Sequence, residues 1–181
     1  MRELSLNVLD IAQNSVRAEA SLIKIELIED TKKCTLEISV SDDGKGMTPE
    51  QLESVRDPFF TTRTTRKVGM GIPLFRMAAE MTGGSFDIES TVGVGTKTTA
   101  RFCTDHLDFI PIGDMCSTVI TLVTMNLHID FVYVRQIDGK AFTTDTRQLK
   151  EILGDVPLNE PSITAWLKDF ITENTKQLTE V

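Results

Sequence analysis

Ser41-Asp42-Asp43-Gly44-Lys45-Gly46-Met47 is the stretch on which the reading of this chain turns. It follows Cys34 to Val40, where Leu36, Ile38 and Val40 alternate with the period of a strand. A carboxylate at the end of a buried strand is costly unless a partner takes its charge. Two glycines at one-residue spacing then let the backbone turn sharply and approach a flat ligand closely. An acceptor such as Asp42 beside that open backbone suits the exocyclic amine of a purine. The stretch alone leaves a second reading open, a tight hairpin turn at Asp-Gly.

Upstream, Arg2 to Ala20 reads as a helix with Leu4, Val8, Ile11, Ala12 and Ser15 on one side. Asn7, Asp10, Asn14 and Arg17 recur at helical spacing and share the other face. Such a stripe is usually a solvated face. This one is mixed and largely uncharged, and Asp10 with Asn14 offers an oxygen pair for a hydrated magnesium ion. Leu22 to Ile28 alternates as a half-buried strand and turns through Glu29–Lys33 into the Asp42 strand, which makes an antiparallel hairpin.

Downstream, Thr48-Pro49-Glu50-Gln51 has the form of a helix start, and that helix ends near Val55. Asp57-Pro58-Phe59-Phe60-Thr61-Thr62-Arg63 is followed by Arg66, Lys67 and then Gly69-Met70-Gly71 at the head of another helix. The apolar face expected for that helix is Leu74, Met77, Ala78 and Met81. Backbone N–H groups at such a glycine-led start suit phosphate oxygens, with Arg63, Arg66 and Lys67 as counter-charge. Taken singly the Gly-x-Gly is weak, and it matches neither the dinucleotide fingerprint nor a Walker loop. Gly83-Gly84 stops the helix. Ser85–Glu89 and Lys97–Cys103 read as strands joined by the glycine loop Thr91 to Thr96.

The chain has 181 residues, enough for one well-buried domain with or without an appendage. Its formal net charge of -8 argues against general binding to nucleic acid or to an anionic membrane surface. No apolar run reaches the length of a membrane span, and the N-terminus lacks the apolar core of a signal peptide. Cys34, Cys103 and Cys116 have no metal-ligand spacing and read as reduced, mostly buried thiols of a cytoplasmic protein.

Asp10-x-x-x-Asn14, Asp42-x-Gly44-x-Gly46, Asp57-Pro58-Phe59-Phe60-Thr61-Thr62, Gly69-x-Gly71 and Gly93-Val94-Gly95-Thr96 form an ordered set. In order and spacing they resemble the nucleotide-binding boxes of the GHKL superfamily, which includes the gyrase, histidine-kinase and MutL ATP-binding domains. The resemblance implies an α/β (α+β) Bergerat-type two-layer sandwich, with helices on one face of a mixed sheet. It implies ATP and Mg2+ as cofactors, with the ATP held between the layers. By position, Asp42 would bind the adenine amine, with Gly44 and Gly46 beside the base and Thr96 near the same end. Asn14 would hold magnesium, and Gly69 and Gly71 would border the triphosphate. Arg63 matches a basic residue of the kinases, and Arg17 would reach a phosphate. Met47, Phe59, Thr62 and Met70, inside the same boxes, complete the implied cofactor-binding set.

Two branches of the superfamily leave different marks. Asn14-Ser15-Val16-Arg17-Ala18-Glu19-Ala20-Ser21 resembles a run of the MutL-like ATPases, in which a Glu four residues before the Asn orients the attacking water. Here that position is Asp10, the implied general base. The Asp57–Thr62 box, the Gly69–Leu74 box and the short segment between them resemble sensor kinases, and the kinase-like branch fits better. There is no room before Asp10 for a helical segment carrying a phosphoacceptor histidine, and His106 and His128 fall at a strand end and in a loop. The function expected is therefore transfer of the ATP terminal phosphate to a separate protein partner. The alternatives are a slow ATPase switch with Asp10 as base, and an ATP-sensing regulatory module without chemistry.

The resemblance spans residues 1–104, read as the ATP-binding domain, and residues 105–181 read as a small α/β extension packed on it. Met115–Met125 is expected as a helix or buried strand, Asp130–Ile137 and Lys140–Thr144 as a hairpin around Asp138-Gly139, and Arg147–Leu153 as a helix closed by Gly154. A last helix from Pro161 is expected to point Ile163, Trp166, Leu167, Phe170 and Ile171 inward. Asp114, Asp130, Asp138 and Asp145 read as turn and cap residues. The extension's functional alternative is a docking platform for a protein partner or a second copy, a possible homodimer, with Trp166 as anchor.

Overall fold

In the computed structural model, which describes residues 3–56 and 70–180, the Asp42 strand is interior to the sheet. The elements in chain order are α1 (Leu4–Arg17), β1 (Leu22–Asp30), β2 (Thr35–Asp42), α2 (Pro49–Arg56), α3 (Gly71–Met81), β3 (Ser85–Thr91), β4 (Gly95–Cys103), α4 (Met115–Met125), β5 (Asp130–Ile137), β6 (Lys140–Asp145), α5 (Thr146–Leu153) and α6 (Pro161–Thr179). The six strands make one sheet in the order β3-β4-β2-β1-β5-β6. Only β1 and β5 run parallel; the other neighbours are antiparallel. The expected mixed α/β sheet is present. The chain leaves β2 for α2, so the hairpin reading of Asp43-Gly44 is excluded.

Alternation decides which face is covered. Ile23, Ile25 and Leu27 of β1, Leu36, Ile38 and Val40 of β2, Ala100 and Phe102 of β4, and Phe131 and Tyr133 of β5 are buried in one core. α1, α3, α4 and α6 pack onto that core. The residues between them carry charge on the other face, where Lys24 pairs with Glu26 at 2.7 Å and Arg101 with Glu37 at 2.6 Å. Phe75 of α3 is fully buried and centres an aromatic group, with ring centroids 6.3 Å from Phe86 and 5.8 Å from Phe102.

Several helical details differ from expectation. The first helix stops at Arg17 rather than running to Ala20, because Glu19 takes a left-handed φ of 59° and turns the chain into β1. Asn7 is not on a solvated face but 1% exposed. The buried side of α3 is Ile72, Phe75 and Ala79, while Met77 and Met81 are about half exposed. Trp166 is 50% exposed, so α6 turns Leu167 and Ile171 to the core and leaves the indole outside. The three cysteines are free and half-buried rather than mostly buried. α2 begins with reciprocal bonds between Thr48 and Gln51, N–H to side chain in both directions at 2.9 and 3.2 Å, which is a capping box.

Residues 111–145 are bonded directly to the N-terminal elements. The free N–H groups at the start of α1 are taken by the connector, Leu4 N–H to Pro111 O at 3.0 Å and Ser5 N–H to Ile112 O at 2.8 Å. Arg135 pairs with Glu29 across the β1–β5 seam. Asp138, in the β5–β6 turn, accepts from the Thr31 amide at 2.8 Å and its hydroxyl at 2.5 Å. Asp114 and Asp145 cap α4 and α5, each accepting from a backbone amide in the first turn. Asp130 pairs with Lys150. The acids of this region are turn, cap and ion-pair residues, and no group of metal-ligating side chains occurs among the described residues.

Candidate functional site

β2 lies between β1 and β4, and Asp42, its last residue, stands opposite Ile23 on one side and Thr96 on the other. Its carboxylate is held by three donors. Oδ1 accepts from the Gly44 amide at 2.9 Å and the Thr96 amide at 3.3 Å, and Oδ2 accepts from the Ser15 hydroxyl at 2.5 Å. A carboxylate has about four acceptor positions. Oδ1 is therefore filled, and one position on Oδ2 stays open to an incoming N–H.

The loop after Asp42 is set by close backbone approaches. A Cβ on Gly44 would lie 2.7 Å from Ala18 O, so Gly44 sits under the end of α1. Lys45 N–H also donates to Ala18 O, at 2.9 Å. Gly46 has a φ of +68°, and a Cβ there would lie 2.0 Å from Thr91 O. The β3–β4 turn closes on the same loop: Gly93 N–H donates to Lys45 O at 2.9 Å, and Met47 N–H to Ser90 Oγ at 2.9 Å. Asp43 points the other way and accepts from the Ser21 and Leu22 amides at 2.8 and 2.9 Å, and from the Ser21 hydroxyl. Its burial pushes its pKa up, but the Ser21 and Leu22 donors outweigh this and hold it below the usual carboxylate value.

A cavity of about 410 Å³ opens over Asp42. α1 supplies Ile11, Asn14, Ser15, Arg17 and Ala18; the loop supplies Lys45, Gly46 and Met47; α2 supplies Gln51, Ser54 and Val55. Ile72 of α3 and Ile88, Thr96 and Thr98 of the β3–β4 hairpin close it. The volume and the mixture, apolar walls with a few polar groups, are those of a small-molecule site.

Of the residues singled out in the sequence, Asn14, Arg17, Asp42, Gly46, Met47 and Thr96 line this cavity. Gly44 packs under Ala18 instead of forming the wall. Asp10 is exposed one turn before Asn14 and lies against the start of α3, where a Cβ on Gly71 would meet its own Cβ at 2.7 Å. Met70 is 71% exposed at the head of α3. Phe59, Thr62, Arg63 and Gly69 lie outside the described residues. Asn14 Oδ1 accepts from Arg17 Nη1 at 3.1 Å, which leaves the amide oxygen a second lone pair. Ser15, counted in the sequence as part of the apolar stripe, is buried against Asp42. No local pattern marks it, because its partner lies 27 residues away. Of the apolar lining, Ile11 reads in sequence only as part of the stripe of the first helix, and Val55, Ile72 and Ile88 carry no local signal of a site.

Residues 1–106 match the family of histidine kinase-, DNA gyrase B- and HSP90-like ATPases. This chain is a member of that family. Curated relatives include the sensor histidine kinase ZraS of Klebsiella oxytoca, 40% identical over 60 residues, which cover 33% of this chain and 13% of ZraS. The histidine protein kinase DivJ of Caulobacter vibrioides is 31% identical over 104 residues, covering 55% of this chain and 17% of DivJ. The chain thus spans only a small part of these kinases. Among solved structures, the Aquifex aeolicus MutL ATPase domain complexed with ADP superposes with a TM-score of 0.51 at 16% identity, covering 84% of this chain and 69% of that one. That likeness is one of fold. No helix among the described residues is long and apolar enough to cross a membrane.

Proposed function

We propose that this chain binds magnesium-ATP in the cavity over Asp42 and transfers the terminal phosphate to a separate protein. The observation that carries the binding half is the carboxylate of Asp42, with a single acceptor position open into a cavity of about 410 Å³. An exocyclic amine presents the N–H that this position lacks. Adenine carries such an amine and is the base assigned here, in keeping with the ATPase family to which the chain belongs. Met47, Ile72 and Ile88 offer apolar surface to the base, and Thr96 and Gly46 lie at the same end.

The residues present fit a magnesium ion of the usual kind, which keeps several waters and takes its remaining oxygens from substrate phosphates and one or two protein groups. Asn14 would hold it through its amide oxygen, and Arg17 would then turn toward phosphate. Magnesium supplies neutralisation of charge on the transferring phosphoryl group. The chain's own part is to fix the base at Asp42, exclude water along the apolar wall, and hold the phosphates at the Asn14–Arg17 edge. The Gly69-x-Gly71 segment and Arg63 are proposed to border the triphosphate.

Transfer to a partner protein is favoured because the curated relatives are sensor kinases and because His106 and His128 both lie away from the cavity lining. A cytoplasmic setting suits ATP use and free thiols. A second reading, slow hydrolysis with Asp10 as base, is favoured by its exposed position one turn from Asn14. Residues 105–181 are proposed to buttress the ATP-binding part and to carry contacts with partners.

The deciding experiment follows ATP labelled on its terminal phosphate, with magnesium, the purified protein and a host lysate. Label in a second protein band, absent with Asp42→Asn, is the expected result. Label released only as phosphate, and lost in Asp10→Asn, would replace transfer with the switch. Asp42→Asn is expected to weaken ATP binding by at least tenfold in titration calorimetry, the scale of one hydrogen bond to a charged group. Equal affinity in the variant would overturn the assignment of the base site.

A further inference from the structure

The two edges of the sheet are finished differently. At β3, α2 packs against the strand and Arg56 Nη2 donates to Ile88 O at 2.7 Å, so that edge is covered. β6 forms the other edge. Asp138 and Gly139, with φ of 49° and 84°, make a two-residue turn, so Ile137 and Lys140 form a mutually hydrogen-bonded pair. Bonding then alternates along the ladder, and Ala141 and Thr143 turn their N–H and C=O groups away from β5. Both residues are exposed, and no described residue bonds those backbone groups. Natural edges are commonly blunted by a proline, a bulge or a central lysine. Lys140-Ala141-Phe142-Thr143-Thr144-Asp145 has its charges only at its ends.

The helix layer above this edge also has an uncovered flank. α4 holds α6 from one side, where Cys116 Sγ donates to Lys168 O and Thr172 Oγ1 donates to Cys116 Sγ, each at 3.6 Å. At about 100° per residue, Trp166 falls on the flank opposite Lys168 and Thr172. Trp166 stacks on Phe170, ring centroids 5.3 Å apart, and Phe170 meets Phe142 of β6 edge-on at 6.3 Å. An aromatic run thus climbs from the bare strand to an indole that is 50% exposed.

We propose that β6 pairs antiparallel with β6 of a second copy of this chain, about a two-fold axis normal to the sheet. An added peptide strand would fill the sheet layer but leave the indole above it in water. A second copy brings strand and helix together. α6 packs on both β5 and β6, so its axis lies about half a strand spacing inside β6, and the two-fold lies half a spacing outside. The two α6 axes are then two strand spacings apart, about 10 Å, which is a normal distance for packed helices. The axis keeps both helix layers on the same face of the joined sheet and turns the two Trp166 flanks toward each other, as a self-complementary interface requires. The nucleotide cavity lies over β2 and β4, away from this edge, so the dimer stands independently of the ATP reading.

Sedimentation equilibrium over a dilution series, read together with the fluorescence of Trp166, the chain's single tryptophan, tests this. The expected result is a monomer–dimer equilibrium in which Trp166 emission shifts to the red as the dimer dissociates. Thr143→Pro removes an outward N–H without touching the pairing to β5, and Trp166→Glu charges the helix flank. Each is expected to raise the dissociation constant at least tenfold while the circular dichroism stays that of the wild type. A wild type that remains monomeric throughout overturns the proposal. So does a dimer whose Trp166 emission is unchanged on dissociation, or one that survives Trp166→Glu. Should Thr143→Pro fail to fold, the other two measurements decide.

Discussion

Asp42 and Gly95 are locked together at the residue scale. Gly95 has a φ of +130°, and a Cβ on it would lie 1.9 Å from Asp42 O. Gly95→Ala therefore strains its own backbone and displaces the strand end that carries the carboxylate. It is expected to cost more than about 2 kcal/mol, seen as a lower urea midpoint, and to weaken nucleotide binding with it. Asp43 gives a pH signature. Its folded pKa is below the unfolded value, so its contribution is fully present above the unfolded pKa and is lost as pH falls through the folded one. Asp43→Asn should be less stable than wild type at neutral pH, and the gap should close below about pH 4. A gap that is constant with pH would mean that the Ser21 and Leu22 contacts act through shape rather than charge.

Single elements show where local pattern and packing part company. Spacing pointed to Leu74-Met77-Ala78-Met81 as the apolar face of α3, but Ile72, Phe75 and Ala79, spaced as well for a helix, are the buried ones. Spacing cannot choose between them. The choice was made by Phe86 and Phe102, on strands that meet α3 only after the sheet has formed. Similarly, Trp166 belonged by spacing to the inner face of α6, but Leu167 and Ile171 take the core and the indole is left 50% exposed. The β1–β5 seam carries a testable charge pair. Arg135 is buried, and among the described residues its Nη1 has no partner, so Glu29 is its one counter-charge there. Glu29→Gln should cost about 3 kcal/mol by leaving a buried cation unpaired, whereas the double change Glu29→Leu with Arg135→Met should recover most of that. Chemical denaturation of the three variants separates the effects.

The whole molecule depends on the parallel pairing of β1 with β5. Residues 107–181 close that side of the sheet, cover the core with α4 and α6, and satisfy the first amides of α1 through Pro111 and Ile112. A chain cut after residue 104 would expose β1 as an edge and leave the inner side chains of that strand partly uncovered. It is expected to lose cooperative thermal unfolding and to aggregate, measured by circular dichroism and light scattering. A truncated chain that melts cooperatively and binds ATP with wild-type affinity would show that the extension is dispensable to the site.

The nucleotide loop was legible in the sequence because its chemistry is local. Asp42, Gly44 and Gly46 stand within five residues, and the strand, turn and glycine signals that mark them act over the same range. The helix start at Thr48-Pro49, the hairpin at Asp138-Gly139 and the caps Asp114 and Asp145 are of the same kind. The hydroxyl on Asp42, the approaches that require Gly44 and Gly46 and the buried state of Asn7 depend on which elements come to lie side by side. So does the joining of the C-terminal strands into the same sheet. Local signals run along the chain, whereas Ser15 meets Asp42, and Arg135 meets Glu29, only after strands far apart in sequence have paired. That pairing, set by burial of the common core, is what the tertiary structure alone decided.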